Sequence, residues 1–405
     1  MAEPASPASP LPLQGLRVLD VSQVMAGPFC SMLLGDMGAD VIKIEPPDGG
    51  DQTRRAMGFK LKGNDSLGFF NLNRNKRSFA LNLKGKAARE VFYRLTETAD
   101  ILIENYRPGV TKRLGIDYET LSKINPGLIY ASISGFGQTG PWSQRPGFDL
   151  IAQAMAGVMS ITGQPGGPPT KAGVPVSDIG CALFALYGIL SAYIGRQKTG
   201  RGQYVDASLF EAAIAFSIWD ISEYWGTGRV PTPLGTANRF SAPYQAVRAK
   251  DDFFVMGANS NKLWQTLCEV LERPDVLGDA RFKTIADRLL NRVALIEELE
   301  KSFAARKAAD WIDILLAAGI PAGPILNYAE ALASDHAIAR EAVMEFEHPI
   351  EGKVKSIGFP VKLSETKQRV RLPPPLLGEH NDEILRELGI DETTRNRLRA
   401  EGEKP

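Results

Sequence analysis

The chain has 405 residues, of which 44% are hydrophobic and 23% charged, and its 47 lysines and arginines balance 47 aspartates and glutamates. This length exceeds one ordinary hydrophobic core and predicts two domains of a globular protein. The zero net charge argues against nucleic acid or a membrane surface as a partner.

Cysteine and histidine usage limits the chemistry further. Cys30, Cys181 and Cys268 are far apart among apolar residues, which is typical of reduced cysteines in a cytoplasmic protein. All three histidines lie in the last fifth of the chain, so we expect neither a metal site nor a Ser-His-Asp triad. The first residues lack an apolar targeting segment, and we predict a disordered tail over residues 1–14.

Strands and helical patterns alternate along the first half of the chain. The predicted strands are, in order, Leu16–Ser22, Asp40–Glu45, Ser78–Leu83, Asp100–Tyr106, Leu128–Ser134 and residues 202–208. Helical patterns follow the first strand and, from Lys84 onward, the third, and a long apolar helix is predicted after the last strand, near Leu209–Trp225. This alternation predicts an α/β domain with a doubly wound, Rossmann-like parallel sheet, whose ligands belong at the carboxyl ends of the strands.

The segment Gly135–Gly140 (GFGQTG) matches the dinucleotide-binding pattern GxGxxG. It follows the fifth predicted strand instead of the first, and Pro141 and Trp142 come next where a helix is required. We interpret the segment as a loop of the active site and not as a nicotinamide site.

A segment without charge, from Ile179 to Gly195, follows a single carboxylate at Asp178. It is too short and too rich in small residues for a membrane span, and it predicts a closely packed helix. Two roles remain open for its start. Ser177 or Asp178 is an ordinary N-cap of this helix, or Asp178 is a nucleophile whose ionised form the helix end favours.

The second half of the chain changes in character. Residues 226–243 are rich in proline and glycine and predict a linker, after which a hairpin and amphipathic helices follow. We therefore assign residues 15–225 to a large domain, residues 226–330 to the linker and a small α+β domain, and residues 331–405 to a segment that returns to the large domain.

Two predicted strand ends carry groups that suit a phosphate-bearing cofactor. Lys84 stands at a helix start, and Tyr106 and Arg113 offer an aromatic face and a guanidinium group after the fourth strand. Each of these residues alone is more simply explained as an ordinary surface residue. Together they favour such a cofactor modestly.

Seven blocks of the sequence, in order, resemble the family III coenzyme A transferases. They are GLRVLDVSQVMAGPFCSMLLGDMGADVIKIEPP, NRNKRSFALNLK, ILIENYRPGVTKRLG, ISGFGQTGP, VPVSDIG, KTGRGQYVDASLFEA and PPPLLGEHNDEIL. The blocks are most similar to the succinate–hydroxymethylglutarate branch of that family. Family members move CoA from an acyl-CoA donor to a carboxylic acid acceptor without a permanently bound cofactor, and they form interlocked homodimers.

The resemblance implies that Asp178 is the nucleophile and forms an aspartyl-CoA thioester. It implies CoA contacts from Val24, Leu81, Lys84, Asn105, Tyr106 and Arg113, and it favours succinyl-CoA as donor and a dicarboxylic or hydroxy acid as acceptor. Arg145 and Arg239 are candidates for binding a distal carboxylate. Met25 and Pro46 stand where some members have glutamine and arginine, which leaves the side-chain oxyanion donors open. We expect backbone amides near Asp178 to stabilise the developing oxyanions.

Two alternatives remain at this point. An α-methylacyl-CoA racemase shares many of these motifs but needs a histidine where this chain has Phe148, and phenylalanine cannot transfer a proton. A CoA-binding protein without activity would lack a nucleophile, whereas Asp178 is present.

Overall fold

The computed structural model describes residues 10–56, 58–63 and 65–400. Contacts within the chain divide it into two compact units. Unit one comprises the described residues of Met1–Val158, Ala172–Ile218 and His336–Pro405, and unit two comprises Met159–Lys171 and Trp219–Asp335.

The described chain contains eleven strands and twenty α-helices. The strands are β1 (Arg17–Asp20), β2 (Asp40–Glu45), β3 (Lys76–Ala80), β4 (Ile101–Glu104), β5 (Ile129–Ser134), β6 (Tyr204–Ser208), β7 (Tyr244–Arg248), β8 (Phe253–Gly257), β9 (Ala322–Pro324), β10 (Val343–His348) and β11 (Gly352–Ile357). The helices are α1 (Ala26–Asp36), α2 (Thr53–Ala56), α3 (Leu67–Phe70), α4 (Lys86–Glu97), α5 (Val110–Leu114), α6 (Tyr118–Ile124), α7 (Asp149–Met155), α8 (Val158–Ile161), α9 (Val176–Thr199), α10 (Leu209–Phe216), α11 (Ile218–Thr227), α12 (Asn261–Val270), α13 (Pro274–Gly278), α14 (Ile285–Leu290), α15 (Arg292–Phe303), α16 (Ala308–Ala317), α17 (Tyr328–Ala333), α18 (Asp335–Ala339), α19 (Asn381–Glu387) and α20 (Glu392–Ala400).

The core of unit one is a six-stranded sheet in the order β3-β2-β1-β4-β5-β6. Every neighbouring pair in it is parallel. The predicted α/β fold is therefore confirmed, because all six predicted strands form this one sheet. The order reverses between β1 and β4, and in such sheets ligands bind outside the carboxyl ends of the strands at that point.

Alternate residues of the strands face two separate apolar clusters. Val18 and Ile101 belong to the cluster that includes α1 and α9, whereas Leu19 and Leu102 belong to the cluster that includes α4. All four side chains are fully buried. The period of two along each strand therefore builds a helical layer on each face of the sheet.

Helix α9 is longer than the charge-free segment from which it was predicted. With 24 residues it has the length and composition of a membrane span, contrary to our expectation. One side of it, which includes Cys181, Ala185 and Ile189, is nevertheless buried in the core of unit one. The Phe216 ring lies so close to Gly180 that an added Cβ would come within 2.5 Å of it, so the small residue is needed for this packing.

The C-terminal part of unit one covers the free edge of β3. The backbone N–H of Ala80 donates to Asn381 Oδ1 at 2.8 Å, and the N–H of His380 donates to the Ser78 carbonyl at 3.1 Å. Arg77 forms ion pairs with Glu383 and Glu387 of α19. An edge strand that would otherwise expose unpaired backbone groups is thereby protected.

Unit two contains an antiparallel sheet of β7, β8 and β9. Its apolar core joins these strands to α12, α15 and α16, with Phe254, Trp264 and Leu315 at its centre. The segment 159–171 also groups with this unit, although the sequence assigned it to the large domain. The reason is a contact distant in sequence, in which the Gly235 N–H donates to the Gly163 carbonyl at 2.9 Å.

Three further expectations need correction. Residues 1–9 of the predicted tail lie outside the described residues, but Leu11 and Leu13 are buried, and the Leu13 N–H donates to the Met37 carbonyl at 2.9 Å. The predicted linker from residue 226 begins inside α11, which extends to Thr227. The predicted long helix after β6 is interrupted at Ser217 between α10 and α11.

Candidate active site

The first turn of α9 carries Asp178. The helix begins at Val176, directly after Pro175, so Asp178 is its third residue. The N-cap role predicted for Ser177 or Asp178 is therefore wrong, because both lie inside the helix. Pro175 occupies the N-cap position with φ of −75°, and it offers no side-chain acceptor to the first turn.

Asp149, the first residue of α7, provides the missing acceptor. Its Oδ1 accepts hydrogen bonds from the backbone N–H groups of Ser177 at 2.9 Å and Asp178 at 3.4 Å. Its Oδ2 accepts from Gln153 Nε2 at 2.7 Å, and Gln153 Oε1 accepts from the Ala172 N–H at 2.9 Å. Two residues of α7 therefore fix both the loop before α9 and its first turn.

Two carboxyl groups consequently lie at the same helix end. Burial and then the nearby charge of Asp149 raise the pKa of Asp178 to about 7. In the described chain, neither carboxylate forms an ion pair with lysine, arginine or histidine. An ionised Asp178 is thus a desolvated, reactive carboxylate in the neutral pH range, where a nucleophile needs to be ionised.

Asp178 lines a cavity of about 310 Å³ at the reversal point of the sheet. Its walls come from the segments that follow β1, β2, β4 and β5, together with the residues around the starts of α1, α7, α9 and α10. They are Gln23, Val24, Met25, Ala26, Gln52, Asn105, Tyr106, Arg107, Pro108, Ile133, Ser134, Gly135, Ser143, Arg145, Gly147, Phe148, Asp178 and Leu209. We name this space the nucleophile cavity. Its place agrees with the rule for doubly wound sheets.

The segment after β1 is held in a strained conformation. Val24 has φ of +70°, a value that a β-branched residue rarely adopts and that costs about 1–3 kcal/mol. Its backbone N–H donates to Asp51 Oδ1 at 3.2 Å, and Asp51 Oδ2 pairs with Lys43 Nζ at 2.9 Å. Lys43 also donates to the Ser22 carbonyl at 3.0 Å, so two buried charged side chains hold the segment after β1 in place.

A reciprocal pair of hydrogen bonds joins the segments after β1 and β4. The Gln23 N–H donates to Asn105 Oδ1 at 2.8 Å, and Asn105 Nδ2 donates to the Gln23 carbonyl at 2.6 Å. These contacts place two walls of the nucleophile cavity at a fixed distance. Asn105 thus has a clear structural role in addition to the CoA contact predicted for it.

A second cavity of about 390 Å³ adjoins the first and shares Gln23 and Tyr106 with it. The predicted CoA residues Leu81 and Lys84 line this second space. Val24 and Asn105 line the nucleophile cavity, and Tyr106 lines both. Arg113 is exposed on α5 and lines neither cavity, so five of the six predicted CoA residues lie on a continuous surface that leads to Asp178.

The GFGQTG segment is a loop, and the structure explains why its three glycine positions need glycine. An added Cβ on Gly135 would lie 2.8 Å from Gly147 Cα, so the close approach of these two cavity-lining segments requires glycine. Gly137 and Gly140 both have φ of +82°, which favours glycine. Turns and not a helix come directly after the segment, and α7 begins only at Asp149, which agrees with the interpretation of the segment as a loop of the site.

The family model for CoA-transferase family III matches residues 13–381. The chain belongs to CoA-transferase family III. The resemblance seen in the sequence is confirmed, and the chain is an enzyme of the CoA-transferase class.

Relatives with stated activities cover nearly the whole transferase. It is 38% identical over 377 residues to a human succinyl-CoA:glutarate CoA-transferase, which covers 93% of this chain and 86% of the relative. It is 40% identical over 390 residues to an acetyl-CoA:oxalate CoA-transferase of Acetobacter aceti, covering 96% and 98%. A solved CaiB/BaiF family protein of Brucella suis superposes with a TM-score of 0.82 at 35% identity, covering 94% and 100%.

The candidate site of the transferase also contains residues that the sequence did not single out. Gln23 and Arg107 line the nucleophile cavity, and Asp149 holds the start of α9. Arg107 lies in the ENYRPG block, directly after the predicted residues Asn105 and Tyr106. This position was the one sign in the sequence that Arg107 belongs to the site. Asp149 had only its position beside Phe148 as a signal, because its contacts are 28 and 29 residues away.

The two arginines proposed for a distal carboxylate differ in the transferase. Arg145 lines the nucleophile cavity. Arg239, in unit two, pairs with Asp220 at 2.5 Å and Glu223 at 2.9 Å. Because both carboxylates already balance its charge, Arg239 is a poor candidate for a substrate carboxylate.

Proposed function

We propose that this transferase moves CoA from an acyl-CoA donor to a carboxylic acid through an aspartyl-CoA thioester on Asp178. The observation that carries the proposal is the position of Asp178 in the nucleophile cavity, with burial and Asp149 raising its pKa to about 7. Such a carboxylate is poorly solvated and reacts when it loses its proton. CoA is here a substrate, and the mechanism requires no further cofactor.

The first half of the reaction attaches CoA to the enzyme. The Asp178 carboxylate attacks the thioester carbonyl of the donor, the C–S bond breaks, and CoA leaves as a thiolate. The product is a mixed anhydride between Asp178 and the acyl group. The thiolate then attacks the Asp178 carbonyl carbon, and the donor acid leaves as a carboxylate.

The second half reverses these steps with the acceptor. Its carboxylate attacks the aspartyl thioester and releases the thiolate, which attacks the acceptor carbonyl of the new anhydride. Acceptor-CoA forms and Asp178 is restored, without net oxidation or proton transfer. The cavity holds the thiolate close to each anhydride, so each return step is effectively intramolecular.

The oxyanions of these steps need hydrogen-bond donors other than those first expected. The N–H groups of Ser177 and Asp178 already donate to Asp149, so the expectation that backbone amides beside Asp178 stabilise the oxyanion needs correction. The proposal instead uses the start of α1, where Met25 and Ala26 line the cavity. Backbone donors at a helix start suit a developing negative charge.

We propose succinyl-CoA as the donor and a dicarboxylic or hydroxy acid as the acceptor. The names of the relatives support the proposal, since the human protein uses succinyl-CoA with glutarate and the Acetobacter protein transfers to oxalate. The small volume of the nucleophile cavity, about 310 Å³, also suits short acids.

A panel of acyl-CoA donors and carboxylic acids, with products identified by mass spectrometry, tests the function. We expect acceptor-CoA to appear in equal amount to the free donor acid. Release of donor acid and free CoA without acceptor-CoA would indicate a hydrolase and overturn the proposal.

The racemase alternative makes a different prediction. It requires exchange of the α-proton of a 2-methylacyl-CoA with solvent, and Phe148 on the cavity wall carries no transferable proton. Incubation in deuterium oxide distinguishes the two activities, because the proposed transferase incorporates no deuterium.

We also propose a cytoplasmic homodimer. Apolar side chains on the outer side of α9, such as Tyr187 (71% exposed) and Ile194 (63% exposed), support a covered surface in the assembly. The three free, buried cysteines support a reducing compartment. Light scattering tests the dimer, and a monomer at micromolar concentration would contradict it.

A further inference from the structure

The nucleophile cavity has an uneven charge. Among its lining residues, Arg107 and Arg145 are cationic and Asp178 is the acidic group. The wall is therefore positively charged whether Asp178 is protonated or ionised. The reaction brings one substrate carboxylate close to Asp178, and one guanidinium group is enough to balance its charge. The cavity has two guanidinium groups, one more than that carboxylate requires.

Both arginines are free to bind a ligand. Arg107 and Arg145 are exposed, and in the described residues neither guanidinium lies within ion-pair distance of a carboxylate. In this respect they differ from Arg54 and Arg74, which are buried and paired with Glu45 and Asp36. An unpaired guanidinium on a cavity wall is suited to a carboxylate, because its donors match the two oxygens.

Local packing orients the Arg145 side chain, and a turn fixes the backbone of Arg107. The Arg145 guanidinium lies 5.1 Å from the centre of the Trp142 ring. That ring in turn packs edge-on against Phe136 at 5.9 Å and Phe210 at 5.5 Å. Arg107 lies on a different segment, in a turn where its carbonyl accepts from the Val110 N–H at 3.1 Å.

We propose that Arg107 and Arg145 select dicarboxylic substrates by binding the carboxylate that does not react. This inference rests on the proposed function, and it specifies which residues recognise the acyl groups. While one carboxyl carbon of a short dicarboxylic acid reacts at Asp178, its remote carboxylate pairs with a guanidinium of the wall. A monocarboxylic acid of equal length leaves both guanidinium groups in water and gains no such contact.

The kinetic test uses Arg107→Gln, Arg145→Gln and the double variant, with acids and acyl-CoA donors matched in length. Glutarate is compared with pentanoate, and succinyl-CoA with butanoyl-CoA. We expect each single variant to lower kcat/KM for the dicarboxylic member by about 10-fold to 100-fold, the range of a charged hydrogen bond. The values for monocarboxylic members should change less than about twofold, within the effect of an exposed charge.

Arg201→Gln is the matched control, because Arg201 is exposed and lines neither cavity described above. This substitution should leave two ratios of kcat/KM unchanged, that of glutarate to pentanoate and that of succinyl-CoA to butanoyl-CoA. An equal loss for both acid types in the Arg107 or Arg145 variants would overturn the inference, and so would a raised KM for free CoA with unchanged acid preference. The transfer itself would still stand in those cases.

Binding provides a readout that does not depend on turnover. Calorimetric titration with glutarate should give weaker binding to the double variant than to the wild type or Arg201→Gln, also in an Asp178→Asn background. Equal affinity for all of these proteins would overturn the inference even if no transfer were detected. A wild-type protein that transfers no CoA, but binds glutarate more tightly than the double variant does, would instead overturn the proposed function.

Discussion

Two groups of buried carboxyl groups in unit one have opposite environments. Asp20 on β1 and Asp51 lie with Lys43 on β2 and Lys76 on β3, and all four side chains are fully buried. Burial works against ionisation of Asp20, but the two lysines and two serine hydroxyls hold its pKa far below the ordinary value. Each charge in this group has an opposite partner, so the group is structural.

Asp178 and Asp149 form the other group, and they lack such cations. There burial and the like charge raise the pKa of Asp178 instead of lowering it. The comparison teaches that the same residue type serves the fold when its charge is balanced, whereas an unbalanced buried carboxylate such as Asp178 is a candidate for chemistry. The first group also supports the second, since Asp51 holds Val24 on the wall of the nucleophile cavity.

Asp178→Asn should have the largest effect, which is a loss of CoA transfer. We expect transfer to fall by about 10³-fold or more, because an amide is a far poorer nucleophile than a carboxylate. Steady-state assays with succinyl-CoA measure this loss. Asp117→Asn is the control, since Asp117 caps α6 through Thr120 away from the cavities and should retain activity.

The same variant tests whether Asp178 is destabilising. Its pKa is raised on folding, so between about pH 4 and 7 the folded state holds a proton that the unfolded state has lost. Stability due to this group therefore falls as the pH rises to 7. Thermal unfolding should show Asp178→Asn gaining stability relative to the wild type over this range, and a constant difference would contradict the raised pKa.

Asp20→Asn should have the next largest effect, on stability. It leaves buried Lys76 and Lys43 without their shared partner, at a cost of about 3–5 kcal/mol. Urea unfolding measures the change. Glu345→Gln, which removes an exposed partner of Lys353, should leave the midpoint unchanged. Equal effects of the two substitutions would show that burial does not distinguish the pairs.

Lys84→Ala should raise the KM for CoA by about tenfold and leave kcat unchanged, if Lys84 binds a phosphate from its place on the second cavity. The effect should shrink at high salt, because an exposed charge is screened. Lys123→Ala on α6 serves as the control. A lower kcat with unchanged KM would contradict a role in CoA binding.

Asp149→Asn should have the smallest effect and the most specific one. Asparagine keeps an oxygen acceptor for the start of α9 but removes the negative charge, so the pKa of Asp178 should fall. The acidic limb of kcat/KM should move to lower pH, with a gain below about tenfold at pH 6. An acidic limb at the same pH would show that burial alone raises the pKa.

Features that depend on neighbouring residues were predictable from the sequence. The strands are apolar runs with a local period, and the resemblance carried by the order of blocks pointed to Asp178 and to five residues that line the two adjoining cavities. Contacts between distant residues were not predictable in this way. Asp149 caps α9 from another helix, and Lys43 and Lys76 are buried although lysine is usually exposed. Val24, with its positive φ, donates to Asp51, which is 27 residues away.

The most direct test of the account is the covalent state of Asp178 during turnover. The enzyme is incubated with succinyl-CoA without acceptor, denatured in acid, digested and analysed by mass spectrometry, with Asp178→Asn treated in parallel. We predict that the wild-type peptide containing Asp178 gains the mass of CoA less one water, and that the variant peptide gains none. An adduct on a different residue, or an unmodified Asp178 in enzyme that transfers CoA under the same conditions, would contradict the account.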